Sequence, residues 1–169
     1  KDFLIYTPFQ SFNYVVKVLR EAALDPKVTG IKITLYRLAK NSQIISSLIN
    51  AAKNGKQVTV QIELQARFDE TSNINYAEIM QAEGIKLIFG VKGLKVHSKI
   101  CVIDRLEGKK IKRYGFISTG NFNESTSSVY TDVTSLTSNS GIMKEANKEF
   151  QLFEVNYKIY RYKDLIVSP

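Results

Sequence analysis

The chain has 169 residues, 44% of them hydrophobic and 24% charged, with 24 Lys and Arg against 16 Asp and Glu. That length and composition suit one globular domain with a sizeable core and exclude a disordered chain. The net charge of +8 points to a polyanionic partner: nucleic acid, an anionic membrane surface or a phosphate-rich substrate.

In chain order, KDFLIY reads as a strand already under way, so the N-terminus looks cut and does not read as a signal peptide. SFNYVVKVLREAALD follows as a helix, with Phe12, Val15, Val16, Leu19 and Ala23 at helical spacing and Ser11 as its N-cap. GIKITLYR is a second strand. Ser42 caps a second helix whose apolar face is Ile44, Ile45, Leu48, Ile49 and Ala52, ending at Gly55. KQVTVQIEL is a third strand, NINYAEIMQAEG a third helix and IKLIFG a fourth strand.

Alternation of strand and helix predicts parallel strands with right-handed crossovers. After Gly93 the pattern changes: KVHSKICVI, KRYGFIST and VYTDVTSLT are strands with no helix between them, so part of the sheet is antiparallel. GIMKEANKEFQLFEVNY closes as a helix, and YKDLIVSP ends as a strand-like run. The expected fold is a single α/β domain over residues 1–169: a mixed, mostly parallel sheet with helices on both faces. Cys101 is the only cysteine, so an internal disulfide is excluded. Within KICVI it reads as a small buried residue in a reducing setting. No apolar run approaches the ~20 residues of a membrane span.

Ligands of open α/β sheets bind beyond the carboxyl ends of the strands. Those ends carry Arg37 in LYR, Arg67 in ELQARFDE, and Asn121 and Asn123 in STGNFNES. Each alone reads as a solvated charge or a turn. His97, the only histidine, is a harder case. On a strand it shares a face with Lys99, roughly 7 Å away, and two cationic groups do not share a buried face without an anion to hold.

The spacing H-x-K-x-x-x-x-D, His97 to Lys99 to Asp104, followed by Ser118, Thr119, Gly120 and Asn121, resembles the half-site of phospholipase-D-type phosphotransfer. That resemblance implies a neutral imidazole attacking phosphorus, with lysine and asparagine holding the non-bridging oxygens. Such sites use a second histidine as general acid. Here it must come from another copy or from sequence beyond this chain.

IKITLYRLAKNSQIISSLINAAKNGKQVTVQIELQARFDE, GLKVHSKICVI, STGNFNE and YTDVTSLT together resemble the bacterial polyphosphate kinases of the long, multidomain type. The match covers the first of that family's two phospholipase-D-like C-terminal domains, so the chain is expected to be a fragment of a larger enzyme. The resemblance implies reversible transfer of the terminal phosphoryl group of ATP to polyphosphate, with Mg²⁺ as cofactor. It puts His97 at the autophosphorylated histidine. Arg37 and Arg67 fall at two arginines associated with magnesium-bound phosphates, the metal being reached through phosphate or water oxygens. Tyr130 falls at a nucleotide-contacting tyrosine, and Asp132 at an acid able to orient the imidazole. Lys99, Asn121 and Asn123 would hold phosphate.

Implied partners are ATP, ADP, polyphosphate, the remaining domains and further copies of the full-length chain, without nucleic acid. The implied setting is the bacterial cytoplasm, with membrane association left open. Ser118 departs from the glycine common in the family, YTPF departs from its usual opening, and Asp104 is given only a structural role. Two other readings stay open: a dimeric phospholipase-D-like nuclease or phosphodiesterase, and a domain that binds anions but is inactive alone.

Overall fold

A computed structural model describes residues 2–63, 70–91, 95–155 and 160–167. The elements are β1 (Phe3–Thr7), α1 (Asn13–Leu24), β2 (Val28–Leu35), α2 (Gln43–Lys53), β3 (Gln57–Ile62), α3 (Glu70–Ala82), β4 (Lys86–Phe89), β5 (Ile100–Glu107), β6 (Lys110–Ser118), a 3₁₀ turn (Thr126–Ser128), β7 (Asp132–Thr137) and α4 (Ser140–Glu154). The strands form one sheet in the order β1-β7-β6-β5-β2-β3-β4.

The expected mixed sheet is present, but its pairing needs correction. Among the described residues only β2–β3 and β3–β4 pair in parallel; β1–β7, β7–β6, β6–β5 and β5–β2 pair antiparallel. The reason lies in the connections. Parallel neighbours need a crossover, and α2 and α3 supply two, whereas β5 and β6 are joined by a tight turn at Gly108 (φ 61°). After α1 the chain does not lay β2 beside β1, which pairs instead with β7 at the far edge. Strand direction is closer to expectation: β1, β2, β3, β4 and β6 run one way and β5 and β7 the other. One end of the sheet therefore gathers the carboxyl ends of β1, β2, β3 and β6 and the amino ends of β5 and β7.

Alternation along the strands builds two cores. Ile31 and Ile33 of β2, Val58, Val60 and Ile62 of β3, and Cys101 and Ile103 of β5 pack with Val15, Val16 and Leu19 of α1 and Ile44 and Leu48 of α2. On the other face Val102 and Ile100 meet Met143, Ala146, Phe150 and Phe153 of α4. Helices thus cover both faces, as expected. Cys101 is fully buried, and burial pushes its thiol pKa up, as expected of an inert apolar residue.

Local signals were read correctly at α2. The Ser42 hydroxyl accepts from Ile45 N, and Gly55, with φ 76°, follows its end. At α1 the N-cap is Phe12 without a side-chain bond; Ser11 Oγ instead accepts from Asn13 N at 3.2 Å. The apolar C-terminal run is not a strand over the described residues 160–167. Its N–H groups at Lys163, Asp164 and Leu165 donate to the Glu145 carboxylate at 2.7, 2.8 and 2.9 Å, so they are not available to a sheet. Among the described residues no helix is long and apolar enough to cross a membrane.

Candidate active site

His97, Lys99, Arg37, Asn121, Asn123, Tyr130 and Asp132 all fall at that one end of the sheet. Arg67 and the end of the predicted third strand at Leu64 lie outside the described residues.

The segment carrying His97 is not the regular strand expected, because β5 starts only at Ile100. The β2–β5 ladder ends at Ile33 with Cys101. Beyond it the buried Thr34 hydroxyl takes over, donating to Ser98 O at 2.8 Å and accepting from Ile100 N at 3.0 Å. A side chain thus replaces a backbone ladder, and the chain leaves the sheet just where the histidine stands. The facing survives: Val96, Ile100 and Val102 pack toward α4, while His97 and Lys99 both meet Tyr36. The two rings, of Tyr36 and His97, are edge to face at 5.6 Å and 84°.

His97 is exposed and Lys99 is 6% exposed. Burial pulls the Lys99 ammonium down to about 8, and the Asp132 carboxylate works the other way. The Lys99 amine donates to the carbonyl of His97. Partial burial, then Lys99, then Lys95 hold the His97 imidazole below its ordinary range, since each disfavours a further positive charge. At neutral pH the imidazole is a free base beside two lysines.

The other motif residues divide by role. Asn123 is buried, its Nδ2 donates to Arg37 O at 3.1 Å, and its Oδ1 accepts from Ser125 N and Thr126 N at 2.9 and 3.0 Å. Expected to hold phosphate, Asn123 instead ties the STGNFNES loop to the end of β2. Asn121 has a buried amide oxygen with no hydrogen-bond partner among the described residues. Asp132 makes no hydrogen bond to His97 among the described residues; its Oδ1 accepts from Thr119 Oγ1 at 2.8 Å. Gly120 is packed so closely that a Cβ there would lie 2.2 Å from Asp132 Oδ2. Asp104 pairs with Arg113 at 2.7 Å and Lys32 at 3.6 Å toward the opposite end, which fits its structural role. Tyr130 is 62% exposed, its ring open to solvent beyond the 3₁₀ turn.

Several residues that build this end escaped the motif reading. Glu124 caps α2, accepting from Gln43 N at 2.7 Å and Ile44 N at 3.1 Å, and so docks the motif loop. Asn73 of α3 is fully buried and bridges Tyr36 O at 3.1 Å and Glu63 O at 2.9 Å, clamping the ends of β2 and β3 together. A signal was available: Asn73, Ala77 and Met80 share one helical face, and a polar residue on a buried face needs a partner. Lys95 and Tyr36 had no motif to mark them.

The donors here do not fit a resident magnesium. Among the described residues no three His, Cys, Asp or Glu side chains converge. Arginine and lysine cannot ligate a metal that takes oxygen donors, and Asp132 is engaged by Thr119.

The fold places the chain in a known class. It superposes on the crystal structure of Nuc, a phospholipase D family member from Salmonella typhimurium, with a TM-score of 0.68 at 17% identity over 93% of each chain. The match to the crystal structure of polyphosphate kinase from Porphyromonas gingivalis is closer: TM-score 0.84 and 41% identity, covering 96% of this chain and 27% of that one. The polyphosphate kinase of Yersinia pestis is 48% identical over all 169 residues, which make up 25% of its length. The family model of the polyphosphate kinase C-terminal domain 1 matches residues 1–159. The chain belongs to that family, and spans about a quarter of the curated relatives it matches.

Proposed function

We propose that this chain is the nucleophile-bearing catalytic domain of a polyphosphate kinase. A nitrogen of the neutral His97 imidazole attacks the terminal phosphorus of ATP. The N–P bond forms as the bond from phosphorus to the bridging oxygen breaks, and ADP leaves with that electron pair. The phosphoryl group then passes to the terminal oxygen of polyphosphate, and both steps are reversible. The observation that carries this reading is a free-base imidazole flanked by Lys95 and Lys99, neither of which is paired with a carboxylate among the described residues.

Lys99 and the Asn121 amide hold the non-bridging oxygens, where charge concentrates in the transition state. Arg37, and by family resemblance Arg67, grip the neighbouring phosphates with planar forks. Magnesium enters with the nucleotide as part of the substrate, held by phosphate oxygens. Asn123 and Asn73 position the backbone around Arg37. The exposed Tyr130 ring suits stacking on the base. Asp132 acts on Lys99 in the free protein and keeps its proposed role toward the imidazole for the phosphorylated state. In such sites a second histidine protonates the leaving oxygen, and this chain has one histidine. A further domain or subunit of the full-length protein supplies the second, and the chain alone is inactive. A nucleotide substrate places the reaction in the cytoplasm.

The test is incubation of the full-length protein with Mg²⁺ and either ATP or polyphosphate, followed by mass spectrometry without acid. An acid-labile phosphoryl adduct on His97, lost in His97→Ala, supports the reading. No adduct together with cleavage of a nucleic acid or other phosphodiester overturns it in favour of a nuclease, for which the Nuc likeness supplies only the fold.

A further inference from the structure

Tyr36 stands at the site end without a part in the reaction proposed above. It follows Leu35, the last residue of β2, and its carbonyl is held by the buried Asn73 amide. Three groups converge on its ring. The His97 imidazole meets it at 5.6 Å in an edge arrangement, Lys95 Nζ lies 5.4 Å from its centre and Lys99 Nζ 5.8 Å. Alternate residues of one segment thus share a single partner just beyond the end of β2.

The physics of that partner matters. Residues 95–99 lie outside the regular strands; Ser118 N still donates to Lys99 O at 2.9 Å, but among the described residues no backbone–backbone bond of the sheet holds His97 itself. Two ammonium groups on either side of an imidazole in sequence repel each other and would spread into solvent. An aromatic face attracts cations through its quadrupole. Unlike a carboxylate, it carries no net charge to cancel theirs.

We propose that Tyr36 is a positioning residue: its ring holds His97 in place and gathers Lys95 and Lys99 beside it without neutralising them. Nucleophile and phosphate-holding cations then keep one geometry. The inference rests on the proposed function in taking His97 as the reacting group, but the brace belongs to the free protein and has its own readout.

The ring shields the imidazole from water and keeps the lysines near, and both effects disfavour its protonation. The charged groups bearing on it are Lys95 and Lys99, with Asp132 of β7 acting on Lys99. Because the chain has one histidine, its imidazole resonances in an NMR titration of the 169-residue chain belong to His97. Tyr36→Leu, which keeps apolar bulk but loses the π face, is expected to raise the His97 midpoint toward the free value of about 6.5. Tyr36→Phe, which keeps the ring, restores the low midpoint. Lys95→Met raises it in the parent chain and has a smaller effect beside Tyr36→Leu.

An unmoved midpoint in Tyr36→Leu overturns the proposal, as does a Tyr36→Phe shift as large as that of Tyr36→Leu. Should Tyr36→Leu unfold, the exposed Lys95→Met decides, because an unmoved midpoint there means the ring does not hold that lysine near. In the full-length protein Tyr36→Leu should slow His97 phosphorylation about tenfold or more, as expected of a misplaced reactant, and Tyr36→Phe should recover most of that rate. If the titrations behave as stated but the parent protein forms no adduct, the proposed function fails and the brace stands. If the adduct forms equally fast in every variant and the midpoints do not move, the brace fails and the function stands.

Discussion

The two ends of the sheet are both rich in cations, and they use them in opposite ways. At the end away from His97, Arg105 pairs with Asp25 at 2.8 Å and Glu107 at 2.9 Å, Lys112 pairs with Glu107 at 2.6 Å, and Arg113 pairs with Asp104 at 2.7 Å. At the site end, Lys99 meets a carbonyl and a ring, and Lys95 meets the same ring. Paired cations lower the energy of the folded chain itself. Lysines held by a ring and a carbonyl are, in the proposed reaction, the ones open to an anion that comes from outside. The +8 balance could not tell these uses apart, because it counts charges and not their partners.

The comparison breaks most readily at Lys99. Lys99→Met should lower His97 phosphorylation ~100-fold or more, the scale for losing one oxyanion-holding group. The thermal midpoint should hold or rise, since a buried amine that meets a carbonyl and a ring but no paired carboxylate among the described residues is replaced by an apolar chain. A falling midpoint with intact phosphorylation would put Lys99 among the structural cations.

The pH profile sharpens the same point. The proposed reaction needs a neutral His97, present above a pKa held below the ordinary range, and a charged Lys99, present below about 8. The rate of adduct formation should therefore rise with pH on the acid side and fall through about 8, giving a bell. Gly120→Ala drives a Cβ into the Asp132 carboxylate. Because that carboxylate supports the Lys99 charge, the falling limb should move to lower pH, and an unmoved limb would show that Asp132 does not act on Lys99.

Smaller again is Asn73→Ala. It removes the buried amide from which the part-buried carbonyls of Tyr36 and Glu63 accept, at a cost of ~1–3 kcal/mol in urea unfolding. It also loosens the base of Tyr36 and Arg37, so adduct formation should slow several-fold. A loss of stability with no kinetic change would confine Asn73 to the fold. Least of all is Arg105→Met at the opposite end: adduct formation unchanged and the thermal midpoint slightly lower, by an amount that shrinks in high salt. A kinetic effect there would mean the two ends are not separate in function.

Much of this was legible in one dimension. Helical spacing at Val15, Val16 and Leu19, and at Ile44, Ile45 and Leu48, marked α1 and α2 with their buried faces. The Ser42 cap and Gly55 marked the limits of α2, because capping is a local interaction. The motif His97–Lys99 with Asn121 picked out residues that the fold brings to one end of the sheet.

What spacing could not carry was partnership. Strand pairing joins residues far apart in sequence, so the placement of β1 beside β7 left no local trace, and the sheet proved more antiparallel in its pairing than expected. Asn123 looked like a phosphate ligand until its amide was seen bonded to Arg37, 86 positions away in sequence. The C-terminal run looked like a strand until the Glu145 carboxylate was seen to take its N–H groups.

The sequence by itself thus determined which segments bury which faces and which residue types carry the phosphotransfer motif, since periodicity and motif spacing are written in neighbouring residues. Only the tertiary structure decided which cations pair with carboxylates and which meet a ring or a carbonyl. That depends on distances between side chains of different strands, which sequence order does not encode.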